Sequence, residues 1–97
     1  MKKFRVIVEP MAIESMRVSY EWGVAHWGET LAQTWARNMR TAIYSLAHLP
    51  ERYPLAPENP MFEQDIRHMV IGRYRIIFSV MKNTVHVFYI KGSYLEG

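Results

Sequence analysis

The chain has 97 residues, of which 49% are apolar and 13% aromatic, and it contains no cysteine. This size allows one domain with one hydrophobic core, and the composition excludes a disordered chain, a disulfide framework, a cysteine-ligated zinc site and a thiol nucleophile. Because no apolar run of about 18 residues and no signal-peptide pattern are found, we expect a soluble cytoplasmic protein without a membrane partner.

Charge is distributed unevenly along the chain. The net charge is +3, but residues 1–65 carry seven Lys and Arg against eight Asp and Glu, whereas residues 66–97 carry five against one. The five cations of the second part are Arg67, Arg73, Arg75, Lys82 and Lys91. Such a concentration favours a polyanion or an acidic protein as partner, although a solvated outer face carries similar charge.

The first half predicts a strand followed by two helices. Apolar and polar residues alternate from Lys3 to Glu9, which is typical of a short strand. Pro10 suits the first turn of a helix and Gly28 its end, so a first helix is expected between them. A second helix is expected from Glu29 to His48, and the short connection at Gly28 predicts an antiparallel helical hairpin.

Each helix carries apolar residues at three- and four-residue intervals, which predicts one buried stripe on each. In the first helix the stripe comprises Ile13, Met16, Tyr20, Val24 and Trp27. In the second it comprises Leu31, Trp35, Met39, Ala42, Ile43, Leu46 and Leu49. Stripes of this spacing are far more often core than cofactor pocket, so we expect the helices to cover a sheet.

An irregular connector is expected from Leu49 to Met61, because this stretch holds four of the five prolines. After it, residues Ile66 to Lys91 predict three consecutive strands, with turns at Gly72 and at Lys82-Asn83. The fold class is therefore α+β, with a small antiparallel-dominated sheet formed by the N-terminal strand and three C-terminal strands, and a helical hairpin packed on one face.

Alternation predicts which strand residues share a face. In the strand after Gly72, the residues Tyr74, Ile76, Phe78 and Val80 face one way and Arg75, Ile77 and Ser79 the other. In the last strand, Val85, Val87 and Tyr89 face one way and His86, Phe88 and Ile90 the other. One face is apolar enough to receive the helices, and the other mixes polar and apolar groups.

Several motifs together resemble the RelE/ParE family of toxins from type II toxin–antitoxin modules. The most specific are the segments LPERYPLAPE (49–58), IRHMV (66–70), YRIIFSV (74–80) and VHVFYI (85–90). Their order, after a strand and a helical hairpin, covers nearly the whole chain. The resemblance therefore implies a single RelE/ParE-like toxin domain over residues 1–97.

The resemblance implies a toxin that a cognate antitoxin protein neutralises, with no cofactor, no metal and no sequence-specific DNA binding. Members similar to ParE block DNA gyrase and need no chemistry on a substrate, and this is the activity we expect. Members similar to RelE instead cut messenger RNA on the ribosome, which would make the protein a metal-free endoribonuclease. A third alternative is a toxin remnant that survives as an interaction module.

The resemblance also selects site residues. Arg75 matches the family arginine in the YR-containing strand, and Arg67 lies at a preceding position that is often basic. Lys91 and Tyr94 are the remaining candidates near the end, where the chain reads IKGSYLEG and lacks the His or basic cluster of many relatives. For a nuclease, Arg67, Arg75, Lys91 and Tyr94 are the candidate catalytic residues. For a binding toxin, Arg67, Arg75, His86 and Lys91 are the candidate partner-binding residues.

Some roles stay open at this point. Histidine titrates near neutrality, so His68 and His86 are candidates for acid–base chemistry, but a structural role is the favoured interpretation for each, and alternation does not place them on a face with Arg75. Arg75 can bind a partner's carboxylate or fix the connector. Arg67, which follows Asp65 closely, can form a structural ion pair or hold a phosphate.

Overall fold

The computed structural model describes residues 3–92, and over this range it confirms the predicted α+β fold. The elements are β1 (Arg5–Val8), α1 (Pro10–Trp27), α2 (Glu29–Ser45), β2 (Arg67–Ile71), β3 (Tyr74–Met81) and β4 (Thr84–Gly92). The strands form one sheet in the order β1-β4-β3-β2, with β1 parallel to β4 and the other pairs antiparallel. Helix α2 ends at Ser45, three residues before the expected end at His48.

The helical hairpin forms where the sequence predicts it. Pro10 is the first residue of α1, and Gly28 separates the two helices with a φ of 93°, a conformation that suits glycine. In α2, the residues Met39 and Ile43 of the predicted stripe are buried in the core. Leu31, at the other end of that stripe, is exposed. The hairpin therefore covers one face of the sheet through both helices, because α1 packs along β4 and the C-terminal half of α2 contributes Met39 and Ile43 to the core.

The predicted stripe of α1 is wrong in most of its length. The residues that α1 buries are small ones at helical spacing, namely Ala12, Ser15, Ser19 and Gly23. Ile13 is 58% exposed, and Val24 and Trp27 are also exposed, whereas Met16 does pack against the core. The reason is close approach: small side chains allow the backbone of α1 to lie near the sheet and near α2, and the larger residues flank the contact.

The predicted faces of β4 are wrong at its C-terminal end because of a β-bulge. Ile77 pairs with Tyr89 and Phe78 with Val87, so Phe88 is an extra residue in the β4 ladder. Beyond Phe88 the alternation is inverted. Ile90 therefore faces the helices and is fully buried, and Tyr89 lies on the other side with Phe88.

The connector between α2 and β2 contains two short 3-10 turns, Pro50–Arg52 and Asn59–Met61, and lies along the edge of β2. The Ala56 N–H donates to the Ile66 carbonyl at 2.7 Å, and the His68 N–H donates to the Pro54 carbonyl at 3.1 Å. Ile66 in turn donates its N–H to the side-chain oxygen of Asn59 at 2.7 Å. These hydrogen bonds fix the connector against the sheet on both sides of Glu58.

Candidate functional site on the second face of the sheet

The site lies on the face of the sheet opposite the helices, which we call the second face. Arg75 of β3 and Lys91 of β4 are direct partners in the strand register, so their side chains project from this face side by side. A smaller apolar cluster of Ala56, Ile66 and Ile77, with Phe88 and Tyr89 packed against it, covers the neighbouring area. The second face therefore combines a cationic part and an apolar part.

Glu58 of the connector reaches into the cationic part. Its two carboxylate oxygens accept hydrogen bonds from Arg75, with distances of 3.0 Å from Nη1 to Oε1 and 2.5 Å from Nη2 to Oε2. Lys91 Nζ lies 3.3 Å from the same Oε2 atom. The side chains of Arg75 and Glu58 are only 22% and 23% exposed. Arg75 and Glu58 therefore form a bidentate, partly buried ion pair, and Lys91 is a second cation beside one of the two carboxylate oxygens.

The electrostatics of the site follow from this contact. The hydrogen bonds from Arg75 lower the pKa of the Glu58 carboxyl to about 2, against an opposing effect of burial. A backbone hydrogen bond and Lys91 make smaller contributions to the same lowering of the pKa. Glu58 is therefore ionised at every physiological pH, and one negative charge permanently accompanies the two cations.

His68 is the fourth member of the site. It stands on β2, and its Nδ1 atom lies 3.1 Å from Arg75 Nη1, the same nitrogen that donates to Glu58. Burial lowers the pKa of His68, and the positive charge of Arg75 lowers it further, whereas Glu58 raises it. Because Nδ1 faces an arginine, the neutral ring with its proton on Nε2 satisfies this contact. His68 thus shares a face with Arg75, which sequence alternation left open.

His86 lies elsewhere on the second face. It pairs with Ser79, four residues along β3 from Arg75, which corresponds to a separation of about 13 Å. Its Nδ1 atom lies 2.8 Å from the Glu9 carboxylate at the end of β1, and its ring stacks near Phe88. His86 therefore joins β1 to β4 and is not brought together with Arg75 and Lys91.

Arg67 is not on the second face. It is the register partner of Phe78, whose side chain lies in the core under the helices. Arg67 Nη1 donates to the Tyr53 carbonyl at 2.7 Å, so it holds the connector at the edge of the sheet. Within residues 3–92 it forms no ion pair with Asp65. Tyr94, the remaining candidate, lies outside the described residues.

Sequence reasoning missed Glu58, although this residue stands inside the A-P-E segment that carried the family resemblance. The sequence predicts only an irregular connector here, with Arg75 either fixing it or binding a partner's carboxylate. The contact with Glu58 supports the first of these two roles. The available signal was a carboxylate at the end of the LPERYPLAPE segment, ahead of strands that carry Arg75 and Lys91.

An apolar groove of about 610 Å³ continues from the cationic part. It runs between the connector and the second face, with Glu58 and Lys91 at one end. Its apolar walls are formed by Met11, Phe62, Ile66, Ile77, Phe88 and Tyr89. Phe62 and Met11 are among the exposed large apolar residues of the chain, which is typical of a surface that binds another protein.

Among residues 3–92 there is no group of three or more His, Asp or Glu side chains placed to hold a metal ion. Nor does this part of the chain contain a helix with the length and hydropathy needed to cross a membrane.

Comparisons with known proteins give a likeness in structure. No family model and no curated protein matches the sequence. A solved structure described as the chromosomal ParDE TA system from P. aeruginosa contains a chain with a similar fold, at a TM-score of 0.79 and 12% sequence identity. The match covers 93% of this chain and 96% of that chain. At this identity the likeness establishes the fold, which the two chains share over nearly their whole length.

Proposed function

We propose that this protein is the toxin of a type II toxin–antitoxin module, acting in the cytoplasm as a ParE-like inhibitor of DNA gyrase. Two observations support the module: the motif order of the RelE/ParE family, and a fold shared over 93% of the chain with a chain of a ParDE system. The observation that carries the choice of a ParE-like activity is the engagement of Arg75 and Lys91 by Glu58.

The choice rests on what RNA cleavage requires. Without a metal, cleavage needs cations that stabilise the charge developing at phosphorus, in addition to an acid and a base. Here the two cations of the second face already bind a carboxylate whose geometry resembles that of a phosphate edge. A binding toxin needs no such cations in a reactive arrangement, so this geometry is compatible with gyrase inhibition.

We propose the apolar groove as the surface that binds the antitoxin. The apolar groove beside Lys91 suits an amphipathic segment that packs its apolar residues between the connector and the sheet. Arg75, His86 and Lys91 border this face and remain our candidates for contact with partners. Arg67 contributes indirectly, because it holds the connector from the opposite side.

Induction of the protein in a bacterial host tests the module, and a supercoiling assay tests the target. We expect growth arrest that is relieved by the small protein encoded beside the toxin gene, and loss of gyrase supercoiling with RNA left intact. Arg75→Ala should abolish the inhibition in a folded protein, whereas Arg37→Ala, which removes an exposed arginine of helix α2, is the matched control. Full gyrase activity at toxin excess contradicts the proposal.

A RelE-like endoribonuclease is the second candidate, and the observation in its favour is the contact between His68 and Arg75. A neutral imidazole whose Nδ1 accepts from an arginine leaves its Nε2–H free to donate, so the pair offers a hydrogen-bond donor and a phosphate ligand within one site. Toeprinting of translating ribosomes separates the two activities, because cleavage in the ribosomal A site is specific to the nuclease. Absence of growth arrest on induction would instead indicate the third alternative, a remnant that only binds its partner.

A further inference from the structure

The cationic part of the second face has the composition of a phosphate site. Arg75 presents two N–H groups in a fork, one to each carboxylate oxygen of Glu58. Lys91 adds a third donor, which contacts the Oε2 atom that Arg75 Nη2 also contacts. A planar arginine fork and a lysine are the donors that proteins use most for phosphate oxygens. In this chain the same donors bind the two oxygens of Glu58 instead.

Room for a phosphate exists beside these donors. A cavity of about 390 Å³ borders both Arg75 and Lys91. Its other walls are Pro57, Val70, Gly72, Arg73 and Tyr74. Arg73 adds a third cation at the wall, on the exposed turn between β2 and β3. Without the carboxylate, this cavity would carry a strongly positive potential.

Glu58 is fixed in place by its neighbours in the chain. Ala56 is buried and its N–H is hydrogen-bonded to Ile66, and Asn59 accepts the N–H of the same residue through its side chain. A carboxylate anchored on both sides competes with external anions at a high effective concentration. A phosphate that binds here must therefore displace the Glu58 carboxylate from its hydrogen bonds with Arg75 and Lys91.

We propose that Arg75 and Lys91 form a latent phosphate-binding site, and that Glu58 is the residue that keeps phosphate groups out of it. Glu58 thereby sets the specificity of the second face, which binds protein surfaces and rejects nucleic acid despite the positive charge of its strands. The inference concerns anion selectivity and holds whether or not the target is gyrase.

The test compares Glu58→Gln with Glu63→Gln, which removes the same charge from an exposed position of the same connector. Binding of pyrophosphate and of a short single-stranded RNA is followed by NMR, on the Arg75 side-chain N–H and the His68 ring. We expect at least about tenfold tighter binding of both probes to Glu58→Gln than to the wild type, and little change in Glu63→Gln. The double variant Glu58→Gln/Arg75→Ala should lose the gain.

Three outcomes overturn the proposal. The first is equal binding by Glu58→Gln and Glu63→Gln, which would show a general charge effect. The second is a gain that persists when Arg75 is also removed. The third is an equal gain in Glu58→Asp, which keeps the charge and is expected to keep the exclusion. Circular dichroism confirms that each variant is folded, and Glu58→Ala provides a second test in case the glutamine amide remains in the fork. Since no gyrase is present in this experiment, its result is independent of the proposed target.

Discussion

The hydroxyl oxygen of Ser15 accepts a hydrogen bond from the Ile90 N–H at 3.0 Å, which ties helix α1 directly to strand β4. Strand β1 pairs with β4 only as far as Val87, so Ile90 lies beyond the reach of a strand neighbour on that side. Ser15 is buried and also donates its own proton to the Ala12 carbonyl at 2.9 Å. The small residues of α1 thus complete the edge of the sheet where β1 ends.

Ser15→Ala should destabilise the protein, because it leaves the buried N–H of Ile90 without an acceptor. A buried unsatisfied donor costs about 1–3 kcal/mol, partly offset by about 0.5 kcal/mol from the better helix propensity of alanine. Ser19→Ala is the matched control, since Ser19 is fully buried on the same helix face and its hydroxyl has no partner among residues 3–92. Urea denaturation should show a loss for Ser15→Ala and no loss for Ser19→Ala. Equal losses would contradict the role given to Ser15.

Glu58 should make stability depend on pH in the acid range. Its pKa is about 2 in the folded protein and 4.5 in its unperturbed state, so the unfolded chain takes up the proton first as pH falls. The ion pair therefore stabilises the fold fully above pH 4.5, and this contribution is lost as pH falls from 4.5 through about 2. After allowance for solvent screening, we expect on the order of 1–2 kcal/mol.

The measurement is the free energy of unfolding of the wild type and of Glu58→Gln between pH 2 and pH 7. The wild type should be more stable at pH 7, and the difference should shrink as pH falls below 4.5. Glu63→Gln, at an exposed position of the connector, should follow the wild-type curve closely. A difference between wild type and Glu58→Gln that does not vary with pH would contradict the ion pair.

The pKa of His68 should report the state of the same site. Burial and the charge of Arg75 lower this pKa below its usual value, while Glu58 opposes them. Removing the negative charge with Glu58→Gln should therefore lower the pKa of His68 further, and removing the positive charge with Arg75→Gln should raise it. An NMR titration of the imidazole protons measures both shifts, with His86 as an internal reference that is bound to Glu9 instead. Shifts of the same sign in both variants would contradict the arrangement.

Sequence reasoning succeeded where local chemistry determines structure. Pro10 and Gly28 delimit helix α1 as predicted, and the turn residues at Gly72 and Lys82-Asn83 separate the three C-terminal strands. These signals act within a few residues and do not depend on the partner element. The α+β class followed from them directly.

The sequence-based predictions fail where the neighbouring element determines which side chains are buried or in contact. Ile13 and Trp27 have the spacing of a buried stripe, yet α1 turns its small residues inward because the sheet lies close to it. Spacing cannot distinguish these two faces when both repeat at helical intervals. Likewise, Glu58 belongs to a segment without periodic structure, so its contact with Arg75, 17 residues later, depends on the path of the connector.

Because of the bulge in β4, substitutions at Phe88 and at Ile90 should have different effects on stability. Simple alternation places these two residues on one face, but the structure places Ile90 in the core under the helices and Phe88 in the groove of the second face. Ile90→Ala should therefore cost about 2–5 kcal/mol of folding free energy, as expected for a buried isoleucine. Phe88→Ala should cost about 1 kcal/mol, because its ring is only partly buried.

Substitutions at Phe88 and at Ile90 should also differ in their effect on binding. Phe88→Ala removes a wall of the apolar groove, so we expect at least about tenfold weaker binding of the antitoxin segment by a folded protein, since a buried aromatic often dominates such an interface. Ile90→Val, which keeps the core fold with a smaller loss of stability, should bind this segment as the wild type does. Calorimetry of binding and denaturation of the same samples measure both quantities. A loss of stability in Ile90→Ala as small as that in Phe88→Ala would show that the ladder continues without a bulge, with both side chains on the second face.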